Sequence, residues 1–433
     1  MHNTADTPSL TSPRVYPAGV TIVRNVARGP GVAPASLTID DIGDWLLREA
    51  GRESGTLELV ECFFWRLVAA GFPIDRASLH VGTLHPQLRG FAWNWRSSDG
   101  HCEEVKVQHG IDRTDSYRRN PLPRVFEQGH AVRCNPRDQA AQNEFPIMRE
   151  LAEAGYHDYI ALPLGSEGYR HAMTFATLRE GGFDEPQIAQ LKSLLDLFAF
   201  HVERHIADRI ASNALGAYLG PSAAGKVLNG EIRRGGGEAI HAVIWLADLR
   251  GFTDLSDRLS GPDMVALLNA YFEVLAGAVL ARGGDVLKFM GDGLLAVFPL
   301  QRNEGDGALA DAALAAAEAA QRGLADLNAN PPAALAAIDG WQPLCAGIAL
   351  HEGEVFFGNI GAPERLDFTV IGPAVNEASR VEALQKALGR SVLVTAAAAR
   401  LMTHPLECLG EFALRGVAAP MAIFSPAASG SPI

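Results

Sequence analysis

Cysteine is scarce, with five residues in 433: Cys62, Cys102, Cys134, Cys345 and Cys408. Their number is odd, their spacing wide, and no C-x-x-C occurs. That excludes a disulfide framework and a cysteine zinc site, and suits free thiols in a reducing compartment. Basic charge is also short: 37 Lys and Arg stand against 50 Asp and Glu, for a formal net charge of −13. A general nucleic-acid binder needs a basic face, so that class is excluded, while a local basic pocket for a small anion is not. No apolar run approaches the roughly 20 residues that span a bilayer; the Ala-rich run from Gly307 is broken by Asp311 and Glu318. No basic segment followed by an apolar one opens the chain, so no secretory signal is visible. These absences lead us to expect a cytoplasmic protein without nucleic-acid or membrane partners.

What is present is ordinary globular material, 48% hydrophobic and 20% charged, long enough for two or three domains. Residues 1–36 are rich in Pro, Ser, Thr and Gly and read as a mostly disordered lead-in. Residues 37–186 mix helices and strands. Asp41–Ala50, Leu57–Ala70 and Met148–Ala154 read as helices, and Arg76–Leu84, Gly90–Arg96 and Glu103–Gln108 as strands. Tyr159–Leu164 and His171–Arg179 read as a strand pair turning at Gly165–Gly168. Strands framed by a first and a last helix point to a small α/β sensor fold.

Residues 187–238 read as a helical linker. Ile188, Leu191, Leu195, Phe198 and Val202 recur with spacing 3, 4, 3, 4, the pattern of a short coiled-coil seam. Leu215–Gly237 reads as a Gly-rich connector. From 239 to 425 strands and helices alternate. His241–Ala247 is a continuous apolar run and therefore a buried strand. Asp263–Ala281, Ala308–Leu327 and Val375–Leu388 read as helices. Val286–Met290 and Leu294–Phe298 form a hairpin around Gly291-Asp292-Gly293. Cys345–His351 and Glu354–Ile360 read as two strands with a turn at His351-Glu352-Gly353-Glu354.

Two carboxylates stand where strands end. Asp248 follows the buried strand, and Asp292 sits at the hairpin tip. Such a carboxylate is costly unless paired or bound to metal. Two from neighbouring strands could hold two metal ions roughly 4 Å apart for in-line displacement at phosphorus. Taken alone, Asp292 reads as turn chemistry, because Asp-Gly in a hairpin needs no function. Gly251 lets backbone approach a ligand, and Phe252 and Thr253 would open a helix whose free amides can hold phosphate. Lys288 lies four residues before Asp292. Asn376 and Arg380, at i and i+4, share one helix face, where an Arg can grip charge developing on a phosphoryl group.

Read jointly, these segments are specific. Ala247-Asp248-Leu249-Arg250-Gly251-Phe252-Thr253, Lys288-Phe289-Met290-Gly291-Asp292-Gly293, Phe357-Gly358-Asn359-Ile360-Gly361 and Thr369–Arg380 occur in that order over roughly 185 residues. The stretch closely resembles the class III nucleotidyl cyclases. The resemblance implies a ferredoxin-like βαββαβ domain over 239–425. It casts Asp248 and Asp292 as metal-binding aspartates, with the Leu249 carbonyl as a further ligand to one of two divalent ions, Mg²⁺ or Mn²⁺. It places Lys288 and Thr369 at the purine base, Asn376 at the ribose, Arg380 at the pentavalent α-phosphate and Arg415 at the terminal phosphates. It also implies a homodimer with shared sites, because in the family metal-binding and base-reading residues of one site come from different protomers.

Many adenylyl cyclases of this family carry Asp where this chain has Thr369, a variant known in a subgroup. Guanylyl cyclases typically carry Glu in place of the Lys, and the Lys288 ammonium can only donate. The resemblance therefore favours ATP, giving cyclic AMP and pyrophosphate. Guanylate cyclase and a catalytically silent sensing module are the alternatives. Gly155–Leu164, Phe175-Ala176-Thr177 and Gly181-Gly182-Phe183 resemble a GAF-type sensor over 37–186, which implies a small-molecule effector of unknown identity and gives a fold class of α/β and α+β in two domains. Three features are set aside. Gly220–Lys226 matches G-x-x-x-x-G-K, but Val227 stands where a P-loop needs Ser or Thr. His201 and His205 read as a solvated helix face. A diguanylate cyclase would want a G-G-D/E-E-F hairpin, and this one reads Met-Gly-Asp-Gly.

Overall fold

The structure, a computed structural model, describes residues 16–165, 171–301, 303, 305–339, 341–417 and 419–427. The opening of the expected lead-in and positions 166–168 of the expected turn lie outside them. The chain divides into two compact units, Met1–Ala214 and Leu215–Ile433.

Among the described residues the first unit is built on seven antiparallel strands: β1 (Val20–Val26), β2 (Arg76–Gly82), β3 (Leu88–Arg96), β4 (Cys102–Gln108), β5 (Val132–Cys134), β6 (Asp158–Leu164) and β7 (His171–Thr177). Their order across the sheet is β1-β4-β3-β2-β7-β6-β5. Strand β1 corrects the reading of residues 1–36 as a disordered lead-in. Its Val-Thr-Ile-Val run is β-branched, and pairing along β4 supplies backbone partners that local sequence does not reveal. The helices Thr56–Ala69 and Glu185–Leu219 pack on one sheet face, with Phe63 stacked on Phe198 at 4.1 Å.

That packing also corrects the coiled-coil seam. Ile188, Leu191, Leu195, Phe198 and Val202 are all buried in this unit's own core. A 3-4 repeat marks an apolar helix face without saying what covers it. His201 is not a solvated residue either: its Nε2 lies 2.6 Å from the Leu46 carbonyl oxygen.

Three buried acids in this unit are answered by an arginine, Glu61 by Arg28, Glu104 by Arg209 and Asp158 by Arg133, while the buried Glu103 accepts from the Tyr16 hydroxyl at 2.7 Å. Asp158 accepts from Arg133 Nη2 at 2.8 Å and from the Phe183 amide at 3.0 Å. Gly182 passes over it with φ +71°, where a Cβ would come within 2.4 Å of its Oδ2. Asp158, Gly182 and Phe183 therefore form one structural knot.

Among the described residues the second unit carries eight strands: β8 (Gly237–Leu249), β9 (Asp285–Met290), β10 (Gly293–Leu300), β11 (Ala346–Ala362), β12 (Arg365–Ile371), β13 (Val392–Thr395), β14 (Leu406–Phe412) and β15 (Met421–Pro426). The order is β14-β15-β13-β11-β8-β10-β9, with β12 paired to β11. Strand β8, the helix Gly261–Leu280, β9, β10, the helix Asp306–Ala329 and β11 follow as a βαββαβ run. Both faces of β8 are covered, which is why its sequence reads as an unbroken apolar run. Val243, Trp245 and Ala247 face the two long helices, and Ala242, Ile244 and Leu246 face the other side.

Four expectations change here. Ala346–Ala362 is one strand of 17 residues, without the turn expected at His351–Glu354, because β8 pairs with it through that stretch. Leu215–Gly237 is not an open connector: the long helix runs to Leu219 and Pro221–Leu228 forms another, burying Ala223 and Ala224. The helix expected over Val375–Leu388 breaks at Leu384 into Pro373–Ala383 and Gln385–Leu388. Finally, among the described residues the helix Gly261–Leu280 is long and apolar enough by length and composition to cross a membrane. Its Leu267, Tyr271, Leu275 and Val279 pack in the core.

Candidate active site

Asp248 stands at the end of β8, beside the hairpin of β9 and β10. Met290 pairs with Gly293, so Gly291 and Asp292 make a two-residue turn, and Gly291 takes φ +64°. This turn chemistry delivers Asp292 to Asp248, and their side chains share a hydrogen bond. The Asp248 carboxyl is pushed up to about 7, first by burial, then by the charges of Asp292 and Glu382.

Glu382, a residue the sequence reading missed, comes from the helix Pro373–Ala383. Its own carboxyl is raised, first by burial; Arg250 opposes this and Asp292 adds to it. Gly347 makes the approach possible. It pairs with Asp248 across β8 and β11, and a Cβ there would meet Gln385 Oε1 at 1.6 Å and Glu382 Oε1 at 3.4 Å. Gln385 is 2% exposed, and among the described residues neither of its amide atoms has a hydrogen-bond partner. Burial raises the Tyr271 hydroxyl too, followed by the charges of Asp248, Asp292 and Glu382.

The donor set fits a hard divalent cation. Two adjoining carboxylates that hold a proton against their ordinary preference are relieved when a cation replaces it. Among the described residues no group of three or more His, Cys, Asp and Glu is gathered as a metal cluster. The side-chain ligands are then two, which suits Mg²⁺ or Mn²⁺, ions usually held by one or two carboxylates plus substrate phosphates. Leu249 is buried at the end of β8 next to Asp248.

The other expected residues fall into two groups. Lys288 on β9 donates to Asp367 on β12, two residues before Thr369. Thr369 is 9% exposed and pairs with Gly358. Asn376 is exposed on the helix Pro373–Ala383 and Arg380 half-buried. Arg380 lies over Gly416, where a Cβ would meet its Nη2 at 3.3 Å, and Arg415 is the exposed neighbour of that glycine. The buried His351 ties this helix to β11, its Nε2 3.2 Å from Glu377 Oε2 and its Nδ1 3.0 Å from Thr395 Oγ1. Phe252 and Thr253 open a helix of seven residues after Gly251, which takes φ +76°.

A single chain does not bring all of these together. At 100° per residue, Asn376 and Arg380 lie roughly 120° and 160° around the helix from Glu382, the residue that reaches Asp248. The buried Ala374, Ala378 and Val381 mark the sheet-facing side. Glu382 could have been suspected from its place beside Val381 on this amphipathic helix; Asp367 had no comparable signal.

Similarity to known proteins follows this geometry. Residues 239–425 match the adenylate and guanylate cyclase catalytic domain family. An adenylate cyclase of Anabaena cylindrica is 34% identical over 172 residues, 40% of this chain and 32% of that one. An uncharacterized protein of Mycobacterium tuberculosis is 37% identical over 199 residues, 44% of this chain and 32% of that one. The chain thus spans about a third of the length of these curated relatives. Among solved structures, the adenylyl cyclase CyaB from P. aeruginosa aligns with 27% identity and a TM-score of 0.40, over 45% of this chain and 98% of that one. The guanylyl cyclase Cya2 aligns with 30% identity and a TM-score of 0.39, over 45% and 96%. Residues 239–425 form a class III adenylate/guanylate cyclase catalytic domain.

Proposed function

We propose that the chain is an adenylate cyclase that converts ATP to cyclic AMP and pyrophosphate, acting as a homodimer whose two sites are each shared between protomers. The observation that carries this reading is the half-buried Asp248–Asp292 pair, crowded by Glu382 and, among the described residues, without an ion pair to a Lys or Arg. Asp248, Asp292 and the Leu249 carbonyl hold two divalent ions, which when bound supply Lewis acidity at the ribose 3′-hydroxyl and the phosphates. Asn376 orients the ribose. The Arg380 guanidinium, fixed over Gly416, meets the charge that builds on the α-phosphate as the 3′-oxygen bonds to it and the bond to the β-phosphate breaks. Arg415 takes the terminal phosphates, with Phe252 and Thr253 beside them. Lys288 and Thr369 read the base, and the donor-only ammonium of Lys288 favours ATP over GTP.

The placement of Asn376 and Arg380 on the far side of the helix from Glu382 supports the dimer: a second copy supplies what one chain's carboxylates lack. We read the first unit as a GAF-like sensor for a small-molecule effector. The test is product formation by the purified full chain with ATP or GTP and magnesium or manganese, resolved by chromatography. Cyclic AMP is expected; cyclic GMP in preference would favour guanylate cyclase, and no cyclic product would leave a silent binding module.

A further inference from the structure

At the base-reading corner the chain places a third polar group. Lys288 on β9 donates to the carboxylate of Asp367 on β12; their side chains are 38% and 48% exposed. Asp367 and Thr369 are two residues apart on one strand and so share a face. The intervening Phe368, with Val370, turns the opposite way into the core. Asp367 pairs with Ile360, and Thr369 pairs with Gly358. One corner therefore holds a donor-only ammonium, an acceptor-only carboxylate and a hydroxyl that does both.

We infer that Asp367 is a specificity-determining residue: its carboxylate accepts from the 6-amino group of adenine while Lys288, held by the same carboxylate, donates to ring nitrogen N1. This rests on the reading of Lys288 and Thr369 as base-facing. The chemistry is complementary in kind and order. The Watson–Crick edge of adenine offers a donor at position 6 and an acceptor at N1, whereas guanine offers an acceptor at position 6 and a donor at N1. The Lys288–Asp367 pair joins two strands, so ammonium and carboxylate cannot exchange places to suit guanine. Thr369, nearly buried, stands where many relatives carry Asp. A carboxylate two residues along the same face adds a charged, acceptor-only group beside the Thr369 hydroxyl, which can donate as well as accept, and its exposure leaves it open to a ligand.

The experiment compares ATP with purine riboside triphosphate, which lacks the 6-amino group. Dissociation constants are measured by calorimetry on the full chain, with calcium replacing magnesium so that turnover does not intervene. The wild type is expected to prefer ATP by about 10- to 100-fold, the range for a hydrogen bond to a charged acceptor. Asp367→Ala should abolish that preference. Asp367→Asn, which keeps an acceptor oxygen, should retain part of it. Two results overturn the inference: an undiminished preference in Asp367→Ala, or equal weakening of both nucleotides in both variants, which would reduce Asp367 to a support for Lys288. Cyclic AMP synthesis with an unchanged preference in Asp367→Ala would sink this inference and spare the cyclase reading. An Asp367-dependent preference without cyclisation would do the reverse.

Discussion

Three buried carboxylates of the first unit contrast with the crowded acids of the second. In the first, Glu61, Glu104 and Asp158 are nearly inaccessible, and each has an arginine within ion-pair distance. In the second, Asp248 and Asp292 face each other with Glu382 alongside, and Asp248 is driven up to about 7. A buried acid with its own arginine is satisfied and belongs to the fold. Acids crowded together spend stability, and the compensation must come from something that binds. For these residues an arginine partner marks a charge that belongs to the fold, and the crowding at Asp248 marks a candidate site.

Several experiments would break or sharpen that contrast. Asp292→Ala should lower turnover by about 10²–10³-fold or more, the scale for losing a group that stabilises developing charge, while the metal-free protein melts no lower than the wild type. Lower melting of the metal-free variant would make Asp292 a structural residue after all. In the first unit, Arg133→Met should destabilise, because Asp158 loses its partner. A cost of about 1–3 kcal/mol is expected, at the low end because the arginine is 36% exposed. Denaturation followed by tryptophan emission, with Trp341 replaced by Phe to lighten the second unit's signal, measures it. Mixing Asp248→Ala with Arg380→Ala, each inactive alone, should recover about a quarter of wild-type activity, since half of randomly paired dimers carry one intact site of two. No recovery, with mixed dimers demonstrated, would refute shared sites.

The smallest effect is on pH dependence. Asp248 is raised from 3.8 in the unfolded chain to about 7, so between those values the native state binds more protons. Stability of the metal-free protein must then fall as pH rises through this window. Saturating Mn²⁺ should flatten that slope, and Asp292→Asn should weaken it. A slope of the same size in both would place its origin elsewhere.

Much of the site was legible because its chemistry lies in short local segments. The apolar run ending at Asp248 and the Met-Gly-Asp-Gly turn carry their own geometry, and Asn376 with Arg380 needs only a helix. What was not legible depends on long-range partners. His351–Glu354 has turn composition yet stays extended because β8 bonds to it throughout. The stripe from Ile188 to Val202 shows an apolar face, but the sequence does not say that Phe63 and its neighbours cover it. Glu382 and Asp367 are ordinary charged residues until Gly347 lets one approach Asp248 and β9 brings Lys288 to the other.

If the proposed function is right, a divalent cation relieves the crowding of Asp248 by Asp292 and Glu382. Thermal melting of the full chain near pH 8, with and without Mn²⁺, in wild type and Asp292→Asn, tests it most directly. The account predicts a rise with Mn²⁺ in the wild type, and a metal-free variant that melts at or above the wild type and gains little from Mn²⁺. A wild type indifferent to Mn²⁺, or a metal-free variant that melts lower, would contradict it.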